Sequence, residues 1–239
     1  MIWDDILNDS MKQESVTFSP ELYARPWKQS TAYHEQPLDF EQALISKKDS
    51  TNGYSVQREY INSKQFHDKF EKLPVNPQVQ QALYIQAGRL LEKVDGQGEE
   101  RMLAINSRTG EFLVDNFDRA GSIKGTSFTF DEYQKIEKCP DFVTVMHNHS
   151  LNGRPSIQDI LTYSNDNNIN ISLIVCHTGD IYSIINVNPA IESVYNDFLQ
   201  EAKMKTSNVD EAKRLATTRL YEANERLDKK HKLFEIHKL

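Results

Sequence analysis

The sequence predicts an α/β fold in which a mixed β-sheet is flanked by helices. A long amphipathic helical pattern spans residues 76–94, and short β-branched runs separated by turn residues follow it. Further helical patterns occupy the C-terminal part. A chain of 239 residues, 38% of them hydrophobic, is long enough to bury a sizeable core. Its mean hydropathy of -0.64 indicates that many residues face solvent or a partner.

The elements of the main domain follow from local patterns. Asn76-Pro77 is a typical helix start, and the apolar residues that follow share one helical face. Glycines at 110 and 179 suit tight turns between strands. In order, we predict a helix at 76–94, strands at 101–106 and 111–116, a strand at 126–130, a helix at 131–138 capped by Asp131, a strand at 142–146, a helix at 157–165, and strands at 171–176 and 181–185.

The two ends of the chain differ from this domain. Residues 1–75 are predicted to form an irregular N-terminal extension with short helices near 39–46 and 63–73, and its scattered aromatic residues suit packing on the main domain or on a partner protein. Residues 76–188 are predicted to form the main domain, which contains the candidate functional site. Residues 189–239 are predicted as helices, of which the second runs from Val209 to about Lys232 with Ser207 as its cap.

The segment HNHSLNGRPSIQD is the most informative in the chain, because it contains His147, His149, Ser156 and Asp159. The apolar stretch before it predicts a buried strand. Side chains two apart on a strand point to the same side, so both imidazoles can reach one cation. Ser156 also suits a helix N-cap, and Asp159 suits the first turn, but helix capping does not account for the two histidines.

Two histidines and one aspartate leave a fourth tetrahedral position open, which is the pattern of catalytic zinc. Zinc lowers the pKa of a bound water to about 7, and a carboxylate that accepts its proton would complete a hydrolytic centre. Closed cysteine-rich zinc sites are excluded, because Cys139 and Cys176 are the only cysteines and form no CxxC pair.

The run H-x-H, a short turn and S-x-x-D, with a glutamate on an upstream strand, resembles the JAB/JAMM (MPN-type) zinc metallopeptidases and their bacterial and phage RadC-like relatives. The resemblance covers about residues 98–185. It implies a three-layer arrangement like that of cytidine deaminases, with His147, His149 and Asp159 as zinc ligands. It also implies that Ser156 stabilises the tetrahedral intermediate and that a glutamate transfers the proton of the zinc-bound water.

Two adjacent residues, Glu99 and Glu100, are candidates for that glutamate, and on a strand their side chains face opposite sides. In the family the residue two beyond the glutamate is usually apolar. Met102 stands two residues beyond Glu100, whereas the charged Arg101 stands two residues beyond Glu99. We therefore favour Glu100, with Glu99 as the alternative.

The chain departs from the family pattern between its second histidine and its serine. Ser150 stands where most members have a proline, and only Ser150 to Pro155 intervene before Ser156, one residue fewer than usual. The resemblance therefore implies a shortened loop in which the ligand geometry is retained.

Composition weighs against nucleic-acid binding. The chain has 28 Lys plus Arg against 35 Asp plus Glu, a net charge of -7 and a pI of about 5.5, and it lacks the basic excess typical of phosphate-backbone binding. The contiguous run His147-Asn148-His149 does not indicate an HNH nuclease, because those enzymes draw the three residues from separated parts of a ββα-metal unit whose surrounding elements this run lacks. Near the site, we expect His177 to be a surface residue beside a turn and Cys176 to be a small buried side chain.

Three functions remain open at the level of sequence. The favoured one is a zinc-dependent peptidase or isopeptidase that acts on a protein or peptide, with ubiquitin-like proteins among the candidate substrates. The alternatives are a RadC-like phage or mobile-element protein with a DNA-linked or particle-assembly role, and a non-catalytic MPN-type binding scaffold. The start of the chain lacks signal-peptide features and no apolar run reaches about 18 residues, so we expect a cytoplasmic protein.

Overall fold

The computed structural model describes residues 54–123, 125–151 and 153–239. They form an α/β structure with a mixed six-stranded sheet flanked by helices, as the sequence predicts. The predicted helix near 39–46 lies outside the described residues. The helices are α1 (Arg58–Ile61), α2 (Lys64–Glu71), α3 (Pro77–Val94), α4 (Phe130–Glu137), α5 (Ile157–Ser164), α6 (Ile191–Lys205) and α7 (Val209–Arg226). The strands are β1 (Met102–Asn106), β2 (Phe112–Asp115), β3 (Val143–His149), β4 (Ile169–Cys176), β5 (Ile181–Ile185) and β6 (Glu235–Lys238).

The strand order is β2-β1-β3-β4-β5-β6. β1 runs antiparallel to β2 and to β3, β3 runs parallel to β4, and β4 runs antiparallel to β5. The parallel pair requires a crossover connection, and the chain between these strands contains α5. β3 and β4 lie at the centre of the sheet and are almost entirely buried. The C-terminal end of β3, where the two histidines lie, is therefore held by neighbours on both sides.

Helix α3 provides much of the core beside the sheet, as its apolar face predicts. The side chain of Asn76 accepts a hydrogen bond from the backbone amide of Val79 at 3.0 Å, and Pro77 follows at the first helical position. The buried face packs toward β1 and β3 and consists of Val79, Leu83, Ala87, Leu90, Leu91 and Val94. Helix α2, capped by Ser63, adds Phe66 and Phe70 to the same core and confirms the helix predicted near 63–73.

The described chain separates into two compact units. The first contains the strands with α1 to α4, in residues 54–156, 166–185 and 236–239. The second contains residues 157–165 and 186–235. Within it α6 packs against α7, and the buried side chain of Asn224 binds the backbone of Leu233 and Phe234. The three-part domain division of the sequence stays a prediction.

Several local expectations were wrong. Residues 126–130 form no strand, and α4 is capped by Thr129 rather than Asp131, because Thr129 and Glu132 form a reciprocal capping box. Asn208, not Ser207, caps α7, which ends at Arg226 rather than near Lys232.

The C-terminal part is not entirely helical, because residues 235–238 form β6 at the edge of the sheet. The backbone amide of Leu239 donates to the carbonyl of Ile181 at 3.0 Å, which fastens the end of the chain to β5. Among the described residues, no helix combines the length and the apolar character needed to cross a membrane.

Candidate metal centre

His147 and His149 lie at the C-terminal end of β3 with their side chains on the same side of the strand. Nε2 of His147 is 3.2 Å from Nε2 of His149. His147 pairs with Met102, the first residue of β1, and His149 pairs with Cys176, the last residue of β4. The pair therefore lies at the end of the central strands, where β1 begins and β4 ends, and its placement on one side of β3 is what the period of a strand predicts.

The distance between these two nitrogens fits shared coordination of one ion. Ligand bonds of 2.0–2.1 Å at a tetrahedral angle hold two nitrogens about 3.3 Å apart. The same separation suits a hydrogen bond between one protonated and one unprotonated ring nitrogen when no cation is bound. The geometry fits zinc without requiring either ring to move far.

The second ring nitrogen of His149 fixes which nitrogen can bind a metal. Nδ1 of His149 lies 3.0 Å from the carbonyl oxygen of Gly153. A carbonyl oxygen only accepts, so Nδ1 carries the hydrogen and the neutral ring presents the lone pair of Nε2. Metal-binding histidines are usually oriented by a hydrogen bond of this kind. Gly153, in the loop between His149 and Ser156, therefore contributes to the orientation of His149.

Glu100 lies beside the histidines, and Glu99 does not share this position. Oε1 of Glu100 is 4.0 Å from Nε2 of His149, and the Glu100 side chain is 20% exposed. The backbone amide of Glu100 donates to the carbonyl of Ser122 at 2.9 Å. Oε2 of Glu99 instead accepts a hydrogen bond at 2.8 Å from the guanidinium of the buried Arg101. Of the two candidates, Glu100 is therefore the one within reach of the histidine pair.

Asp159 lies in the first turn of α5 and is half-buried. One ligand atom each from His147, His149 and Asp159 lies within 4.8 Å of the others, so these three side chains could hold a metal ion. Ser156 directly precedes α5 and is exposed. The catalytic and ligand roles of these residues stay predictions.

His177 is buried, so the expectation of a surface position was wrong. Its Nδ1 donates to the backbone carbonyl of Tyr54 at 2.7 Å, and its Nε2 lies 3.2 Å from the side-chain nitrogen of Asn148. Burial lowers the pKa of His177, against the opposing effects of the Tyr54 hydrogen bond and the charge of Asp95. Tyr54 is 123 residues away in sequence, and no local pattern indicates that contact.

Cys176 is a buried free thiol, as the sequence predicts. Burial, with a smaller effect of Asp180, raises the pKa of Cys176 to about 12. The side chain is therefore a protonated thiol at neutral pH, and only a thiolate is a strong nucleophile. Sγ of Cys176 donates at 3.6 Å to the carbonyl of Gly153, the group that also binds Nδ1 of His149.

A second group of metal-ligating side chains, which the sequence analysis did not single out, consists of His67, Asp68 and Glu71 on α2. Both carboxylate oxygens of Asp68 bind the ammonium of Lys64, at 2.6 and 2.7 Å. Glu71 is exposed and His67 is half-buried. Because Lys64 already neutralises Asp68 on the solvated face of α2, this group is a weaker metal site than the histidine pair of β3.

Comparisons with protein-family models, with curated proteins and with solved structures find no match to this chain. The function is therefore argued from the site itself.

Proposed function

We propose that the protein is a zinc-dependent peptidase or isopeptidase of the JAB/JAMM type, in its RadC-like branch, with a protein or peptide as substrate. A conjugate of a ubiquitin-like protein is among the candidate substrates. The observation that carries the proposal is the 3.2 Å separation of the two Nε2 atoms with Oε1 of Glu100 at 4.0 Å from one of them. This grouping combines metal ligands with a carboxylate base, the requirements for metal-assisted hydrolysis.

His147, His149 and Asp159 would hold the ion, and the neutral His149 ring is oriented for this by Gly153. A bound Zn2+ would act as a Lewis acid on the scissile carbonyl and lower the pKa of a coordinated water to about 7. The donor set of two imidazoles and one carboxylate suits zinc better than calcium or magnesium, which prefer oxygen ligands.

Glu100 would transfer the proton. Its Oε1 would accept a proton from the attacking water and then donate it to the nitrogen of the leaving amine. The hydroxyl of Ser156 would donate a hydrogen bond to the carbonyl oxygen as negative charge develops there. Glu100 lies just before β1, and Ser156 lies just before α5.

The adjacent glutamates provide a matched test. Zinc content is measured by elemental analysis of the purified protein, and hydrolysis is measured on an internally quenched peptide library and on isopeptide-linked ubiquitin-like conjugates. We expect about one zinc per chain in the wild type and loss of zinc in His147→Ala and Asp159→Ala. Glu100→Gln is expected to keep zinc and lose about 100-fold to 10,000-fold in kcat, the usual contribution of a general base.

Glu99→Gln is the control, because Glu99 pairs with Arg101 rather than with the histidines. It is expected to keep both zinc and hydrolysis. A wild type without zinc overturns the proposal. A wild type that binds zinc but cleaves no substrate in the set favours a binding scaffold. A wild type that cleaves none of them but binds DNA, with an affinity that falls as salt is added, favours the DNA-linked alternative.

A further inference from the structure

Asn148 stands between the two histidines, and its side chain lies on the opposite face of β3. The side chain is fully buried, with no exposed surface. Its Oδ1 accepts a hydrogen bond from the backbone amide of Arg101 at 2.8 Å. Its Nδ2 donates to the carbonyl of Glu99 at 3.0 Å and lies 3.2 Å from Nε2 of His177. Every hydrogen-bonding atom of this buried amide therefore has a partner in the protein.

Two of these hydrogen bonds hold the backbone on both sides of Glu100. The carbonyl of Glu99 belongs to the peptide group before Glu100, and the amide of Arg101 belongs to the peptide group after it. Fixing both peptide planes fixes the backbone angles of Glu100, and those angles set the direction of its Cα–Cβ bond. Asn148 thus acts on the direction of the Glu100 side chain without touching its carboxylate.

His177 fixes the orientation of the Asn148 amide. The carbonyl of Tyr54 only accepts, so Nδ1 of His177 carries its hydrogen and Nε2 of the neutral ring accepts. That acceptor faces the amide nitrogen of Asn148, while the amide of Arg101 faces the amide oxygen. A flipped Asn148 amide would set donor against donor at the Arg101 amide and acceptor against acceptor at Nε2 of His177 and at the Glu99 carbonyl. The chain from Tyr54 through His177 to Asn148 therefore allows one amide orientation.

We propose that Asn148, anchored by His177, is a positioning residue that directs Glu100 toward the histidine pair. This inference rests on the proposed function for its catalytic consequence. The clamp itself, which joins Asn148 to the backbone of Glu99 and Arg101, is a property of the fold. Because the clamp lies between the two histidines in sequence, one short segment of β3 presents the metal ligands on one face and holds the base in place from the other.

The test uses Asn148→Ala and the isosteric Asn148→Asp in the full chain. Alanine removes all three hydrogen bonds, whereas aspartate keeps an acceptor for the Arg101 amide and loses the donor to Glu99 and His177. We expect both variants to keep about one zinc per chain, because the three ligands are unchanged. We expect kcat to fall about 10-fold to 100-fold and KM to stay within about twofold of the wild-type value. This is the usual effect of removing a residue that orients a catalytic group without binding the metal itself.

Hydrogen exchange supplies a readout that does not require activity. Exchange of the Arg101 amide is expected to accelerate in Asn148→Ala and to stay slow in Asn148→Asp. Asn106→Ala is the matched control, because Asn106 is a buried asparagine at the opposite end of β1, bonded to Cys139 and Asp141. It is expected to lower stability and leave kcat of the folded protein unchanged.

The outcomes separate the two proposals. Wild-type kcat in Asn148→Ala, or loss of its zinc, overturns the positioning role. If the wild type hydrolyses nothing, the proposed function fails, and only the hydrogen exchange of the Arg101 amide then tests whether Asn148 clamps the backbone. Faster exchange in the alanine variant alone supports the clamp. Equal exchange rates in all variants overturn the clamp. If Asn148→Ala does not fold, the kcat of the isosteric aspartate variant carries the test, and a wild-type value there overturns the proposal.

Discussion

Nε2 of His147 lies 3.2 Å from Nε2 of His149, on one side of β3. Two lone pairs this close repel unless a proton or a cation lies between them. Zinc that binds only the folded state at 100 times its Kd would add about 2.7 kcal/mol of stability. In a protein of this size that raises Tm by about 5 to 10 °C.

Differential scanning calorimetry with and without a chelator measures this shift. We expect it to disappear in His149→Ala and to persist in His67→Ala, which alters the second group of possible ligands on α2. A wild-type Tm that is insensitive to both zinc and chelator would contradict a metal at the histidine pair.

Cys176 tests whether the thiol near the site takes part in the reaction. Because burial raises the pKa of Cys176 to about 12, we expect no alkylation by iodoacetamide in the native protein at pH 8, while the less buried Cys139 reacts first. Cys176→Ala should keep zinc and hydrolysis and lose about 1 kcal/mol of stability through the small cavity that it leaves. Full zinc content with lost hydrolysis in this variant would instead indicate a thiol mechanism. Peptide mapping by mass spectrometry identifies the labelled cysteine.

Asp95 is expected to make stability depend on pH in the acid range. Its carboxylate accepts hydrogen bonds from the backbone amide of Val56 at 2.8 Å and from Arg58 at 2.7 Å, and these hold the pKa of Asp95 below its usual value of 3.8. The folded state therefore binds fewer protons, so this stability is present above pH 3.8 and is lost as the pH falls through the folded-state pKa.

Asp95→Asn should cost about 1 kcal/mol at pH 7, the usual net value of such hydrogen bonds, and the difference from the wild type should shrink as the pH falls below 3.8. Urea unfolding across this pH range measures it. Asp68→Asn is the control, because Asp68 forms a solvated ion pair with Lys64, and its effect should be smaller. A difference in the free energy of unfolding between Asp95→Asn and the wild type that stays constant as the pH falls from 7 to the acid limit of folding, well below 3.8, would mean that Asp95 is not selectively stabilised in its charged form.

The histidine pair was accessible to sequence reasoning because its geometry is local. The same-side placement of His147 and His149 follows from the period of a strand, and an apolar run predicts that strand. The positions of Asn148 and His177 were not accessible, because they depend on the pairing of β1 with β3 and on a contact with the backbone of Tyr54. Contacts between distant segments have no signature in a single sequence.

The strand β6 was missed for a different reason. Its sequence, Glu235 to Lys238, is mostly charged or polar and lacks an apolar run, since it is an edge strand with only intermediate burial. It lies beside β5 in the sheet, and an ion pair of 2.9 Å joins Lys238 to Asp180. The prediction of helices over 189–239 therefore failed where tertiary pairing, and not local propensity, determines the structure.

The cap of α4, in contrast, has a local signal. Thr129 and Glu132 form a T-x-x-E capping box, in which the Thr129 hydroxyl accepts from the Glu132 amide at 3.3 Å and Glu132 accepts from the Thr129 amide at 2.7 Å. Thr129→Ala removes the acceptor for an otherwise unpaired helix-end amide and should cost about 1 kcal/mol, which lowers Tm by about 2 to 4 °C. Asp131→Ala removes only a favourable charge in the first turn and should cost less than half as much. Thermal unfolding of the two variants side by side decides which residue caps α4. A larger fall in Tm for Asp131→Ala than for Thr129→Ala would identify Asp131 as the cap.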